Sequence, residues 1–350
     1  MVRSSPLVFD GHNDTLLDLL NVRSGDRSFL GASDRGHVDL PRALEAGFGG
    51  GFFAMFVPSE VGLDLQKTED GDEIPHPPAV RPDYAAEVID ELLDLLSAIE
   101  TDATGAVRVV RTAAELRDSF EEGSVVVLPH LEGAEAVRPD LSNLTDLYDA
   151  GVRSIGLVWS RENAFGYGVP FRYPSSPDVG PGLTDAGRDL VYACNDLGIV
   201  VDCAHLNERG FWDVAELSDA PLVVTHTAAH ALCPSSRNVT DEQLDAVAYS
   251  GGVVGVTFGV SDLRPDGEFD ADVPLSVLVD HVEYIADRLG VAHVALGSDF
   301  DGATIPDALG DVRGLPDLFD ELRSRGFDKE ELAKIAHGNW FRVLEETLTV

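Results

Sequence analysis

Short runs of apolar, mostly β-branched or aromatic residues alternate along the chain with longer stretches in which apolar positions recur every three to four residues. The short runs predict strands at 7–10, 50–57, 124–129, 154–159, 200–204, 222–225, 252–257 and 293–296. The helical period predicts helices at 83–97, 185–197, 241–250 and 275–289. Two of these carry N-cap signals: Thr184 precedes Asp185, and Thr240 is followed three residues later by Gln243. Strands that alternate with helices build a parallel sheet with crossovers, and eight of them predict a closed (β/α)8 TIM barrel. An open doubly wound sheet is the alternative, but no glycine-rich phosphate loop follows any early strand. The Pro- and Gly-rich segments 71–81 and 166–182 read as long loops and not as boundaries, so residues 1–350 are expected to form a single domain.

Composition narrows the setting. The 350 residues are 44% hydrophobic, enough for a large core, and no apolar run approaches the ~20 residues that a membrane-spanning helix needs. MVRSSPLVFD lacks the apolar segment of an export signal. Cys194, Cys203 and Cys233 form no CxxC motif, which fits a reducing cytoplasm. Acidic residues number 62 against 25 basic ones, a formal net charge of −37. Self-repulsion on that scale opposes compaction in dilute buffer, whereas at about 1 M salt the Debye length falls to roughly 3 Å. The expectation is a protein of a high-salt cytoplasm. The same charge excludes nucleic-acid binding, which needs clustered Lys and Arg against phosphate.

In a TIM barrel, chemistry sits at the C-terminal ends of the strands. The first strand leads to His12 and Asp14, the third to Glu132 and the fifth, in VDCAH, to His205. The sixth, in LVVTH, leads to His226, and the eighth, in VALGSDFDG, to Asp299 and Asp301. Each has an ordinary reading when taken alone. A strand-end histidine is commonly a hydrogen-bonded structural residue, and an Asp near Gly is commonly a turn residue. Brought to one barrel mouth, so many ionisable groups need countercharge, and a pair of divalent cations supplies it. Imidazole nitrogen and carboxylate oxygen suit zinc at about 2.0–2.2 Å. His12 and Asp14 would hold one ion, His205 and His226 the other, with Glu132 bridging ions about 3.5–4 Å apart. Alternation along a strand would send His12 and Asp14 to one face, leaving Asn13 to brace the turn.

The ordered set DGHND, LEG at 131–133, VDCAH, TH 21 residues after His205, SSRNV at 235–239, GSDFDG and HGNWFRVL resembles the membrane dipeptidase (renal-dipeptidase-like) family across essentially the whole chain. The resemblance implies an amidohydrolase-type barrel with His12, Asp14, Glu132, His205 and His226 as ligands of a binuclear zinc centre. It implies that Arg237 binds the C-terminal carboxylate of a dipeptide, for which a guanidinium fork is well matched. Asp299 becomes the acid/base residue, taking a proton from a hydroxide that bridges the metals and delivering it to the leaving amine. The family tolerates D-configured C-terminal residues and often forms homodimers. One position departs from the renal type: Trp159 stands where a carbonyl-polarising histidine is expected, leaving Arg161, Asn163 or a metal for that role. His130 and His230 are expected to be supporting residues, and His37, His76, His281, His293 and His337 non-catalytic.

Two alternatives remain at this level. The same barrel and metals could open another carboxylate-bearing amide or a lactone, or the fold could serve a non-catalytic binding protein. The charge reading is the more immediate one to test. Thermal stability and activity should both rise from dilute buffer to about 1 M salt; full structure and activity at low ionic strength would overturn it.

Overall fold

The structure, a computed structural model, describes residues 5–21, 27–62, 65–68 and 71–348. In chain order its strands are β1 (Val8–Asn13), β2 (Phe48–Phe56), β3 (Gln66–Thr68), β4 (Gly71–Ile74), β5 (Val107–Val109), β6 (Val125–Glu132), β7 (Ser154–Gly156), β8 (Phe171–Tyr173), β9 (Val200–Asp202), β10 (Val223–Thr227), β11 (Val253–Val256) and β12 (Val294–Leu296). The order β1-β2-β6-β7-β9-β10-β11-β12 makes a parallel, nearly closed (β/α)8 barrel, and each of these eight strands overlaps one predicted from the hydropathy pattern. β5 pairs with the first half of β6 and β7 with the second.

The seam between β1 and β12 is closed largely by a side chain. Asp10 accepts hydrogen bonds from the Ser298 amide and hydroxyl, both at 2.7 Å. Beyond it, the Asp299 amide donates to His12 O at 2.9 Å and the Asp14 amide to Phe300 O at 2.8 Å. The seam therefore ties the two ends that carry His12, Asp14 and Asp299 to each other.

The predicted helices lie at Pro82–Asp102, Asp185–Leu197, Asp241–Tyr249 and Leu275–Leu289. Thr184 accepts from the Gly187 amide, and Thr240 and Gln243 form a reciprocal capping box. The two Pro/Gly-rich segments are not wholly loops. β4 lies in the first and β8 in the second, and β3-β4-β8 form a small antiparallel sheet outside the barrel. Its short, half-exposed strands lack the alternation that marks a buried sheet face. Part of MVRSSPLVFD, the segment read for an export signal, lies outside the described residues. No described helix is long and apolar enough to cross a membrane.

Strand alternation divides the core in two. Phe9, Phe52, Val126, Leu128, Val200, Val223, Val253 and Ala295 face inward, where Trp340 of the helix Asn339–Thr347 joins them. Val8, Phe53, Val127, Val201, Val224, Val254 and Leu296 face outward into a larger cluster shared with the helices. Trp340 is fully buried, donates from Nε1 to Leu296 O at 3.0 Å, and lies 5.2 Å from the Phe52 ring. Gly11 makes room for it: a Cβ there would lie 2.5 Å from the indole. Trp340→Ala should cost about 3–5 kcal/mol, measured as a lowered denaturant midpoint at high salt, and Trp340→Phe should cost less.

Candidate active site

Two irregularities in the barrel aim the site. Between Asp10 and Asn13, β1 advances three residues while β2 advances two, and β10 gains a residue against β11 between Val224 and Thr227. Each is a bulge of one residue, and His12 and His226 sit on them. Regular pleating alone therefore does not aim His12 and Asp14 together, as the alternation argument had it; the bulge re-aims His12, and Asp14 follows just past the strand end. Asn13 does brace the turn, donating to Phe52 O at 3.2 Å and accepting from the Thr15 amide. His205 and Asp299 have left-handed backbones, with φ 64° and 59°. Such strain in non-glycine residues is characteristic of functional sites.

The five residues expected to hold metal meet. Glu132 Oε1 lies 3.1 Å from His205 Nε2, 3.7 Å from His12 Nε2 and 3.8 Å from His226 Nε2. Asp14 Oδ2 is 3.5 Å from His12 Nε2, and the Nε2 atoms of His205 and His226 are 3.0 Å apart. All five residues are buried. Two imidazoles are held from behind. His205 Nδ1 lies 2.8 Å from Ser160 Oγ, and His226 Nδ1 lies 2.9 Å from Thr225 Oγ1, which donates to Asp202 Oδ2 at 2.6 Å. With Nδ1–H donated backward, each Nε2 presents its lone pair to the centre.

Charge in the cluster calls for cations. Burial, with Asp14 adding to it, raises the Glu132 carboxyl well above its usual range. Burial likewise lifts Asp299 to about 7, despite His12 and Arg237 nearby. Burial would lower His12, but Glu132 and Asp14 outweigh it and carry the imidazole to about 10. Burial and the charges of Arg237 and His12 hold His205 and His226 well below the ordinary histidine value. Divalent metals fit the donor set. His12 Nε2 and Asp14 Oδ1 are buried with no hydrogen-bond partner among the described residues. Ligand atoms of His12, Glu132 and His226, and those of His12, Asp14 and Asp299, fall within 4.8 Å of one another in each group. Asp299, expected as the proton carrier, thus stands close enough to the centre to touch it. Gly302 keeps it there: a Cβ would lie 2.1 Å from Asp14 Oδ2 and 2.5 Å from Asp299 Oδ1.

A cavity of about 340 Å³ opens over this cluster. Asp14, Glu132, His205, Arg237 and Asp299 line it, with Phe56, Trp159 and Phe171 as apolar wall. Ile74 and Phe171 come from the small antiparallel sheet, so the segments read as loops supply part of the site. Arg237 is buried, its Nη2 lies 3.3 Å from His205 Nε2, and its Nε has no partner among the described residues. Arg161 and Asn163 do not line this cavity. Arg161 is bound to Glu135 at 2.7 Å and to Val57 O, and Asn163 braces its own loop through Leu157 O and the Phe165 amide.

Asp301 borders the cavity but is engaged by Thr15, Arg27 and the His37 amide. His130 lies behind His12, bonded to Ser154, while His230 and His281 bond backbone groups elsewhere. His37 bonds the Asp301 amide, and His293 and His337 bond backbone carbonyls; His76 is exposed on its loop. Sequence reasoning missed Ser160, Thr225, Asp202, Asp262 and Gly302. Thr225, beside His226 in VVTH, Asp202, in VDCAH, and Gly302, in GSDFDG, lay within motifs already singled out.

The sequence matches the profile described as membrane dipeptidase (peptidase family M19) over residues 1–350. It is 30% identical over 359 residues to a dipeptidase of Aspergillus terreus, covering 97% of this chain and 84% of that one. It is 46% identical to an uncharacterised protein of Klebsiella pneumoniae, covering 74% and 96% of the two chains. Among solved structures, a dipeptidase of the same peptidase family superposes with a TM-score of 0.94 at 47% identity, covering 99% of this chain and 100% of that one. A metallopeptidase of Rhodobacter sphaeroides, liganded with a phosphinate mimic of the dipeptide L-Ala-D-Ala, superposes with a TM-score of 0.95 at 46% identity, covering 98% and 100%. The chain belongs to the membrane dipeptidase family, peptidase family M19, and is a metallopeptidase of the dipeptidase type.

Proposed function

We propose that residues 1–350 act as one unit that hydrolyses the peptide bond of dipeptides with a free C-terminal carboxylate. The observation that carries this is the joint placement, around one cavity, of a metal-ligand cluster, Asp299 and Arg237, whose Nε has no partner among the described residues. His12, Asp14, Glu132, His205 and His226 would hold two zinc ions, with Glu132 Oε1 between the imidazoles. When bound, such a pair polarises the scissile carbonyl and lowers the pKa of a water toward about 7. Asp299 accepts the proton of the attacking water and returns it to the leaving amine, acting as base and then as acid.

Arg237 clamps the substrate carboxylate. Among the described residues its Nη2 meets His205 Nε2 and His226 O and no carboxylate, while Nε is unpartnered, which leaves donors for a ligand carboxylate. That contact excludes peptides extended at the C-terminal end. Arg161 and Asn163 are turned away, so stabilisation of the carbonyl oxygen would be supplied by bound metal, and Trp159 contributes wall rather than charge. Acceptance of a D-configured C-terminal residue is supported by the L-Ala-D-Ala mimic bound to the Rhodobacter sphaeroides protein. The net charge of −37 supports work in a high-salt cytoplasm, and homodimer formation is proposed from the family likeness alone.

The zinc-loaded protein, assayed at high salt against L,L- and L,D-dipeptides beside their C-terminal amides, should cleave dipeptides, spare the amides and lose activity on chelation. Arg237→Met should raise KM for dipeptides by roughly ten- to hundredfold with a smaller change in kcat; an unchanged KM would remove Arg237 from substrate binding. Asp299→Asn should lower kcat by about 10²–10⁴-fold, and wild-type turnover in that variant would refute the proton-carrier role.

A further inference from the structure

Asp262 is a carboxylate of the substrate cavity that the reaction above does not use. It is buried, 8% exposed, and lines the cavity from the short helical turn Val260–Leu263 that follows β11. Asp14 and Glu132 belong to the metal cluster, Asp299 carries the proton, and Asp301 is bonded to Thr15 and Arg27. Asp262 alone among the cavity's carboxylates has neither a metal-ligand neighbourhood nor a cation within 4.0 Å among the described residues. Its one side-chain partner is neutral: Ser235 Oγ donates to Oδ1 at 2.8 Å. A buried carboxylate so placed is costly unless something charged completes it.

The position of Asp262 says which part of a ligand it would meet. The segment that carries Arg237 also holds Asp262. Ser235 binds its carboxylate, and Asn238 Nδ2 donates to its backbone carbonyl at 2.8 Å. Arg237 also exerts the largest charge effect on Asp262, opposing the upward push of burial. A residue whose carboxylate rests on Arg237 would therefore lie in the part of the cavity that Asp262 also lines. Phe171 and Phe269 border the same cavity and offer apolar contact to a methylene stem.

We propose that Asp262 is a specificity residue that receives a cationic side chain, of the lysine, ornithine or arginine kind, on the dipeptide residue whose carboxylate Arg237 binds. This rests on the dipeptidase reading and narrows its substrate class.

Two substrates matched in stem and backbone decide it: L-Ala-L-Lys and L-Ala-L-norleucine, which differ by the terminal ammonium. In wild-type protein the ratio of their kcat/KM values should favour lysine by roughly ten- to hundredfold, the range of a charged hydrogen bond. In Asp262→Asn the ratio should fall close to one, and Asp262→Glu should restore part of it. A wild-type ratio of one or less overturns the proposal without recourse to any variant. So does an unchanged ratio in Asp262→Asn. That is the outcome expected if Asp262 only steers Arg237 or meets the substrate's α-ammonium, because both substrates then weaken together.

Calorimetric binding of the same two dipeptides to the zinc-loaded protein separates this inference from the reading beneath it. If neither dipeptide is cleaved, the dipeptidase reading has failed. A binding preference for lysine that Asp262→Asn abolishes would still uphold the role of Asp262, and equal binding of both would reject it.

Discussion

One carboxylate oxygen, Glu132 Oε1, stands within 3.8 Å of three imidazole nitrogens that arrive from three other strands. Nothing local holds so much ionisable chemistry together in a buried place. Burial disfavours the charged forms of Glu132 and Asp299, and the cluster becomes favourable only when cations neutralise it. The surrounding fold reads as a set of devices that deliver these atoms to one point. Bulges turn His12 and His226 inward, left-handed backbones place His205 and Asp299, and Gly302 leaves space for two carboxylates. The Asp10–Ser298 seam locks the first and last strands so that Asp14 and Asp299 stay within reach of His12.

The two buried arginines near the cavity show how residue type leaves function open. Arg161 and Arg237 both lie in loops that follow barrel strands, and both are more than nine-tenths buried. Arg161 is bound to Glu135, Ser59 and a backbone carbonyl, which fixes the loops behind Phe56 and Trp159. Arg237 keeps an unpartnered Nε and no carboxylate partner among the described residues. The difference lies in partners that tertiary structure brings up, Glu135 from 26 positions away for Arg161 and His205 from 32 positions away for Arg237, which no local reading could weigh.

Much of the fold was legible because a parallel barrel buries both faces of its strands, so each appears as a short apolar run between polar helices. The metal cluster was legible because His, Asp and Glu at strand ends have few other reasons to recur. The small sheet β3-β4-β8 was not, since its strands are short and half-exposed and their pairing is fixed by tertiary contacts. The bulges at β1 and β10 were equally silent: an added residue leaves composition and hydropathy unchanged while reversing which side chains face inward. Ser160, Asp202 and Asp262 escaped for the same reason, as ordinary polar residues whose meaning comes only from what lies beside them.

The surface charge and the site act in opposite directions on a ligand. A net charge of −37 repels anions at long range, yet the cavity holds Arg237, a cation suited to a carboxylate. A zwitterionic dipeptide carries no net charge and feels little of the outer field, so the contest is settled within a few ångströms, where Arg237 acts almost unscreened in a buried setting. A dipeptide with an added cationic side chain is drawn in by the field and, at Asp262, meets the cavity's uncompensated carboxylate. High salt would remove most of the long-range attraction and leave the buried contacts nearly intact. On the proposed reading, selectivity under those conditions would reside in the cavity, in the pairing of Arg237 with the carboxylate and of Asp262 with the side chain, and not in the charge of the molecule as a whole.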